Sequence, residues 1–64
     1  MDIKYIKQFL NQPVKVILTN GDFFQCEILE AEVDGILIRD KFGDEIPIAP
    51  ELVGLIRPNK GPQR

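Results

Sequence analysis

A short N-terminal α-helix followed by a strongly bent, five-stranded antiparallel sheet that makes a small, strongly curved barrel is the mostly β fold that the sequence predicts. Three observations predict it. Apolar residues recur at helical spacing only within the first ten positions. From position 14 onward they alternate at period two between turn signals at Asn20-Gly21, Asp34-Gly35 and Phe42-Gly43-Asp44. Between the first two signals the alternation changes parity, which one extra residue in a strand produces.

The helix comes first. Asp2 is placed to cap it, and Ile3, Ile6, Phe9 and Leu10 fall on one stripe while Lys4, Lys7 and Gln8 point elsewhere. Asn11-Gln12-Pro13 ends it. In the first strand, 14–19, Val14, Val16 and Leu18 fill one face and alternate with Lys15, Ile17 and Thr19. Asn20-Gly21 reads as a two-residue hairpin turn, which needs positive φ at both central positions, and Asn and Gly tolerate that best. A second strand starts near Asp22. Its Phe24, Cys26 and Ile28 share one parity and Leu29, Ala31 and Val33 the other, so a bulge or sharp bend is expected near 28–30.

Asp34-Gly35 is a second two-residue turn signal, and Ile36-Leu37-Ile38 follows as the third strand. After Phe42-Gly43-Asp44 comes a short strand, 45–49, that contains Pro47. Proline lacks a backbone donor, so this strand belongs at an edge or has the Pro47 nitrogen facing away from the ladder. Ala49-Pro50-Glu51 suggests one turn of tight helix, and 52–57 is the last strand. Pro, Gly and polar residues make up the end of the chain, giving one domain over 1–58 and a flexible tail over 59–64.

At 64 residues the chain is one domain, and a domain of that size buries only roughly 60% of the surface its unfolded chain exposes. Such scaffolds need disulfides, a metal or a partner subunit to gain more than about 3–5 kcal/mol. Cys26 is the one cysteine and there is no histidine, which excludes an intrachain disulfide and a Cys/His zinc site. Self-association is the remaining route. No signal-peptide pattern opens the sequence and no apolar run approaches the roughly 20 residues of a membrane helix, so a soluble, cytoplasmic protein without membrane partners is expected.

Catalysis finds little to work with. The sequence has neither Ser nor His, so a hydroxyl–imidazole pair is impossible and Cys26 has no imidazole to activate it. Sharing parity with Phe24 and Ile28, Cys26 reads as a small buried hydrophobe. Glu30 and Glu32 share a strand face, but nothing nearby suggests a pocket to shift their pKa values, and they read as a solvated face. The expectation is a non-enzyme without cofactor or metal.

The helix, then Val14-x-Val16-x-Leu18-x-Asn20-Gly21-x-x-Phe24, Ile28, Glu32 and Ile36-x-Ile38, resembles the first motif of the Sm-like (LSm) family, whose fold is an SH3-like small barrel. The Hfq branch, bacterial RNA chaperones, also carries Asn-Gly at this hairpin, and Phe9-Leu10-Asn11 is similar to the end of its helix. The resemblance spans about 2–58. It implies a homo-oligomeric ring in which the fourth strand of one subunit pairs with the fifth of its neighbour. Ile46, Ile48, Val53, Leu55 and Ile56 would supply that interface, six subunits being favoured over five or seven.

The resemblance also implies binding of single-stranded RNA, but several positions depart from it. Hfq places a Tyr-Lys-His run between those strands and an aromatic residue in the preceding loop. This chain has Ile48-Ala49-Pro50-Glu51 and Val33-Asp34. The Arg-Gly pair of the second Sm motif is approached by Ile56-Arg57-Pro58-Asn59, with proline for glycine, and Cys26 stands where glycine is usual.

Charge points the same way. The net charge is −2, whereas phosphate binding rests on clustered cations. Acids dominate 22–45, while Lys4, Lys7, Lys15, Arg57, Lys60 and Arg64 make both ends basic. RNA contacts are therefore expected from Tyr5, Gln8, Phe23, Lys4, Lys7, Arg57 and Lys60. Phe23, opposite in parity to Phe24, points away from the interior and either stacks a base or packs under the helix or a neighbouring subunit. The alternative function is an oligomeric assembly module of Sm-like or SH3-like type that binds protein partners without RNA.

Overall fold

The computed structural model describes residues 1–59. Its elements are α1 (Ile3–Lys7), β1 (Pro13–Leu18), β2 (Phe23–Glu32), β3 (Gly35–Asp40), β4 (Glu45–Ile48), a 3-10 turn (Pro50–Leu52) and β5 (Val53–Pro58). The five strands form one sheet in the order β4-β3-β2-β1-β5, each pair antiparallel. β4 and β5 do not pair with each other, so the sheet bends without closing into a barrel and these two strands are its edges. Pro47 thus lies on an edge, as its missing donor requires.

The Asp2 carboxylate accepts from the Lys4 N–H at 3.0 Å and caps α1. The helix stops at Lys7, sooner than the apolar stripe through Leu10 implies. A helix this short gains little from its own hydrogen bonds, and β2 offers better ones. Leu10 bridges Ile28, and Asn11, at a left-handed φ of 61°, donates to the Ile28 carbonyl at 2.8 Å.

The first hairpin differs from its expected form. Ile17 pairs with Phe23, the Leu18 N–H donates to the Asp22 carbonyl at 2.7 Å, and the Gly21 N–H donates to the Leu18 carbonyl at 3.0 Å. The connection therefore has three residues, Thr19, Asn20 and Gly21, and only Gly21 takes positive φ, 97°. The β3–β4 connection repeats this design, with Gly43 at φ 89° and the Gly43 N–H on the Asp40 carbonyl at 3.0 Å. Asp34-Gly35 is not a turn centre either. Glu32 pairs with Gly35, so Val33 and Asp34 form the turn and neither has positive φ.

Leu29 is the extra residue that the parity change called for: Ile28 faces Ile38, but Glu30 faces Leu37. Cys26 and Ile28 point inward before it and Ala31 after it. Val33, expected on the Ala31 side, sits in the turn at 82% exposure. A second irregularity, at Gly54, shifts the β1–β5 register between Ile17 and Leu18.

All five strands and α1 feed one apolar cluster. Beside the smaller Cys26 and Ala31 it holds Ile6 from α1 and the branched side chains of Val14, Val16, Ile28, Ile36, Ile38, Ile48, Val53 and Ile56. Burying each such side chain contributes about 1.5–3 kcal/mol. No polar or charged side chain is buried with them among the described residues. None of the helices there is long and apolar enough to cross a membrane.

Candidate functional site

Because strand side chains alternate, the odd-numbered residues of β1 and the early part of β2 project from the outer face, opposite the core. Cross-strand register then sorts them into rows. Ile17 stands between Phe23 on β2 and Leu55 on β5, an apolar row in which Phe23 is 52% and Leu55 45% exposed. Lys15 stands between Gln25 and Arg57. Arg39 stands between Glu27 and Glu45, and its guanidinium reaches the Glu45 carboxylate at 3.5 Å.

The middle row is electrostatically unfinished. Lys15 and Arg57 are like charges directly opposite each other, a destabilising arrangement, and among the described residues neither forms an ion pair with a carboxylate. The Lys15 ammonium instead lies over the Phe23 ring, 4.2 Å from its centroid. An anion laid along this face would relieve the repulsion, and the ring beside it offers a stacking surface.

The expected RNA residues therefore divide. Phe23 and Arg57 share the outer face; Phe23 is not under the helix. Tyr5, Gln8, Lys4 and Lys7 belong to α1 or its cap, which closes the core from the other side through Ile6 and Ile28. There Tyr5 packs edge-on against Phe9, centroids 5.4 Å apart, and the Gln8 carbonyl accepts from the Gln12 side-chain amide at 3.3 Å. Lys60 lies outside the described residues. Asn59, expected in the tail, is held by its N–H on the Pro13 carbonyl at 3.0 Å.

The expected interface residues also divide. Ile48, Val53 and Ile56 are buried in the core of the single chain and Ile46 packs against it, so these residues offer a neighbour their edge backbone. Leu55 keeps an exposed side chain, on the outer face. In the segment that departs from the Hfq pattern, Ile48 and Pro50 are buried, and the Pro50 carbonyl accepts from the Met1 nitrogen at 3.1 Å.

Cys26 is sealed in the core at 6% exposure. Burial foremost, with the negative charges of Asp40 and Glu27, pushes its thiol up to about 11 against the opposing effect of a backbone hydrogen bond at Val16. At neutral pH it is a protonated, inert thiol. Among the described residues no group of His, Cys, Asp or Glu is assembled to hold a metal.

Sequence reasoning passed over Lys15, Gln25, Lys41 and Phe42. The first two needed the correct hairpin register. Phe42, at 78% exposure in the β3–β4 turn with the Lys41 ammonium 5.4 Å from its ring centroid, was legible only as part of a turn. Compared with protein-family models, curated proteins and solved structures, the chain finds no match.

Proposed function

We propose that this chain is a non-catalytic, Sm-like protein that assembles edge to edge into a closed ring and binds single-stranded RNA weakly on its outer face. The observation that carries the reading is the open sheet. A small domain ends on two unpaired antiparallel edges, β4 and β5, and each is a template for another strand. Pairing the β4 edge of one copy with the β5 edge of the next is a heterologous contact, which generates a ring when the rotation closes. The opposed Lys15 and Arg57 beside Phe23 support an anionic, base-bearing ligand. With so few cations the binding is weak and steeply salt-dependent.

A second reading, an assembly module for protein partners without RNA, is favoured by one feature. The 48–51 segment gives its Ile48 and Pro50 to the core and its remaining charge is acidic, from Glu51. Light scattering at micromolar concentration tests the ring, and a monomeric mass would refute it. Anisotropy titrations with uridine-rich and adenine-rich oligonucleotides over a salt series test the RNA. Binding by neither oligonucleotide at low salt would leave the assembly module.

A further inference from the structure

The β2–β3 ladder begins only at Cys26 opposite Asp40. Ahead of it, residues 23–25 of β2 have β1 on one side and no β3 residue on the other, because the chain turns away through Lys41, Phe42 and Gly43. The gap is a cleft of about 260 Å³ with Phe23, Phe24 and Phe42 among its walls and Gln25, Lys41 and Asp40 beside them, the Asp40 carboxylate being engaged by N–H groups of its own turn. That is just below the roughly 300–1,000 Å³ of pockets for drug-sized ligands, and suits a group the size of one base. It continues past Gln25 and Lys41 into a larger cleft of about 440 Å³ reaching Arg39.

Two features make this more than a gap. The turn that carries Phe42 is fixed: the Asp40 carboxylate accepts from the Phe42 N–H at 2.9 Å and the Asp44 N–H at 3.0 Å. Phe42 is thus presented to solvent from a rigid turn, which lowers the ordering cost of binding on it. Each exposed ring also carries an ammonium, Lys15 at 4.2 Å from the Phe23 centroid and Lys41 at 5.4 Å from that of Phe42. A cationic ligand would meet two cations at the rings it needs. Each ammonium lies over one face of its ring, so a flat, neutral aromatic group linked to anions stacks on the other face or displaces the lysine toward its own phosphates.

We propose that the cleft between Phe23 and Phe42 seats one unpaired base of single-stranded RNA, with Lys15 and Lys41 neutralising the flanking phosphates and the Gln25 amide facing the base edge. This rests on the RNA reading and adds to it a position, the β3–β4 turn. The sequence contains no tryptophan, so Phe42→Trp installs a single reporter. Its fluorescence should be quenched by uridine-rich or adenine-rich oligonucleotide at low salt, while that of Val33→Trp, in the turn at the far end of β2, stays unchanged. In anisotropy titrations Phe42→Ala should weaken binding about tenfold, Phe42→Tyr should stay within about twofold of wild type, and Lys41→Gln should flatten the salt slope by about 0.7. Phe42 is exposed, so thermal melts of these variants should match wild type. Wild-type binding with Phe42→Ala unchanged and Phe42→Trp unquenched would overturn the seat and leave RNA binding standing. No binding by wild-type protein would remove both.

Discussion

On the inner face of the sheet Val16, Cys26 and Ile38 are sealed from water, while from the outer face of the same strands Phe23 and Leu55 stand in it and Lys15 is only half-covered. One strand, with one alternation, serves two purposes. The inner positions form a continuous apolar cluster whose members touch across all five strands. The outer positions form rows, apolar, then cationic, then acidic with Arg39 between Glu27 and Glu45, that stand outside the apolar cluster of the described residues. Stability therefore belongs to one face, and the chemistry available to a ligand belongs to the other.

The most direct way to break that division is to remove the same kind of side chain from each face. Ile38→Ala at the centre of the cluster should cost about 2–5 kcal/mol. That is about half of what a domain of this size has, at about 0.05–0.15 kcal/mol per residue, and the urea midpoint should fall by a comparable share. Leu55→Ala should stay within about 0.5 kcal/mol. Urea unfolding measures both. An equally large loss for Leu55→Ala would mean that the outer apolar row is itself covered in the native assembly.

The inner face is also sensitive to high pH through Cys26. Its thiol is pushed up to about 11 from an ordinary 9.0, so the folded chain holds the proton more tightly than the unfolded chain does. Stability from this group is intact below about 9 and falls as the pH rises to about 11, by on the order of 2–3 kcal/mol once both states are ionised. Urea midpoints across that range should fall more steeply for wild type than for Cys26→Ala. Parallel curves would show that Cys26 is solvated in the native protein.

The turns decide which residues go to which face, and here two glycines separate. Gly21, at φ 97°, should not tolerate a β-branched side chain, and Gly21→Val should cost about 1–3 kcal/mol. Gly35 has ordinary φ, and a Cβ there meets nothing within 4 Å, so Gly35→Ala should change stability by less than about 0.5 kcal/mol. Equal losses in thermal melts would place Gly35 back at a turn centre.

These turns also mark what could be read before the structure. Val14, Val16 and Leu18 on one strand and Phe24, Cys26 and Ile28 on the next all occupy even positions, and antiparallel pairing puts both sets on one face only if an odd number of residues joins them. The three-residue loop was thus implied by the alternation, but the Asn-Gly dipeptide is so strong a two-residue signal that it prevails on local reading. The bulge at Leu29 was legible because it reverses parity in the sequence itself. The helix end at Lys7 was not, since Leu10 and Asn11, expected within or directly after the helix, are instead held to Ile28, contacts that no local pattern encodes. For the site, Phe23 was legible from parity alone. Lys15 required the register that the loop reading had displaced, and Phe42 required knowing that β3 leaves β2 at Asp40.

The smallest expected effect sits wholly on the outer face, at the Arg39–Glu45 ion pair that joins β3 to the edge strand β4. Both side chains are about half exposed, 48% and 53%, so solvent screens the attraction and such pairs contribute roughly 0.2–1 kcal/mol at most. Arg39 has a second carboxylate opposite it, Glu27 on β2, within the same row and open to it once Glu45 is lost. With that replacement partner the loss falls at the low end of the range, and Glu45→Gln should lower the melting temperature by about 1–2 °C, given roughly 4–8 °C per kcal/mol in a domain this small. The difference should vanish in about 1 M salt, where the screening length is about 3 Å. A larger, salt-resistant loss would mean that the Glu45 side chain is shielded from solvent and meets a further charge, as on a neighbouring copy paired along β4.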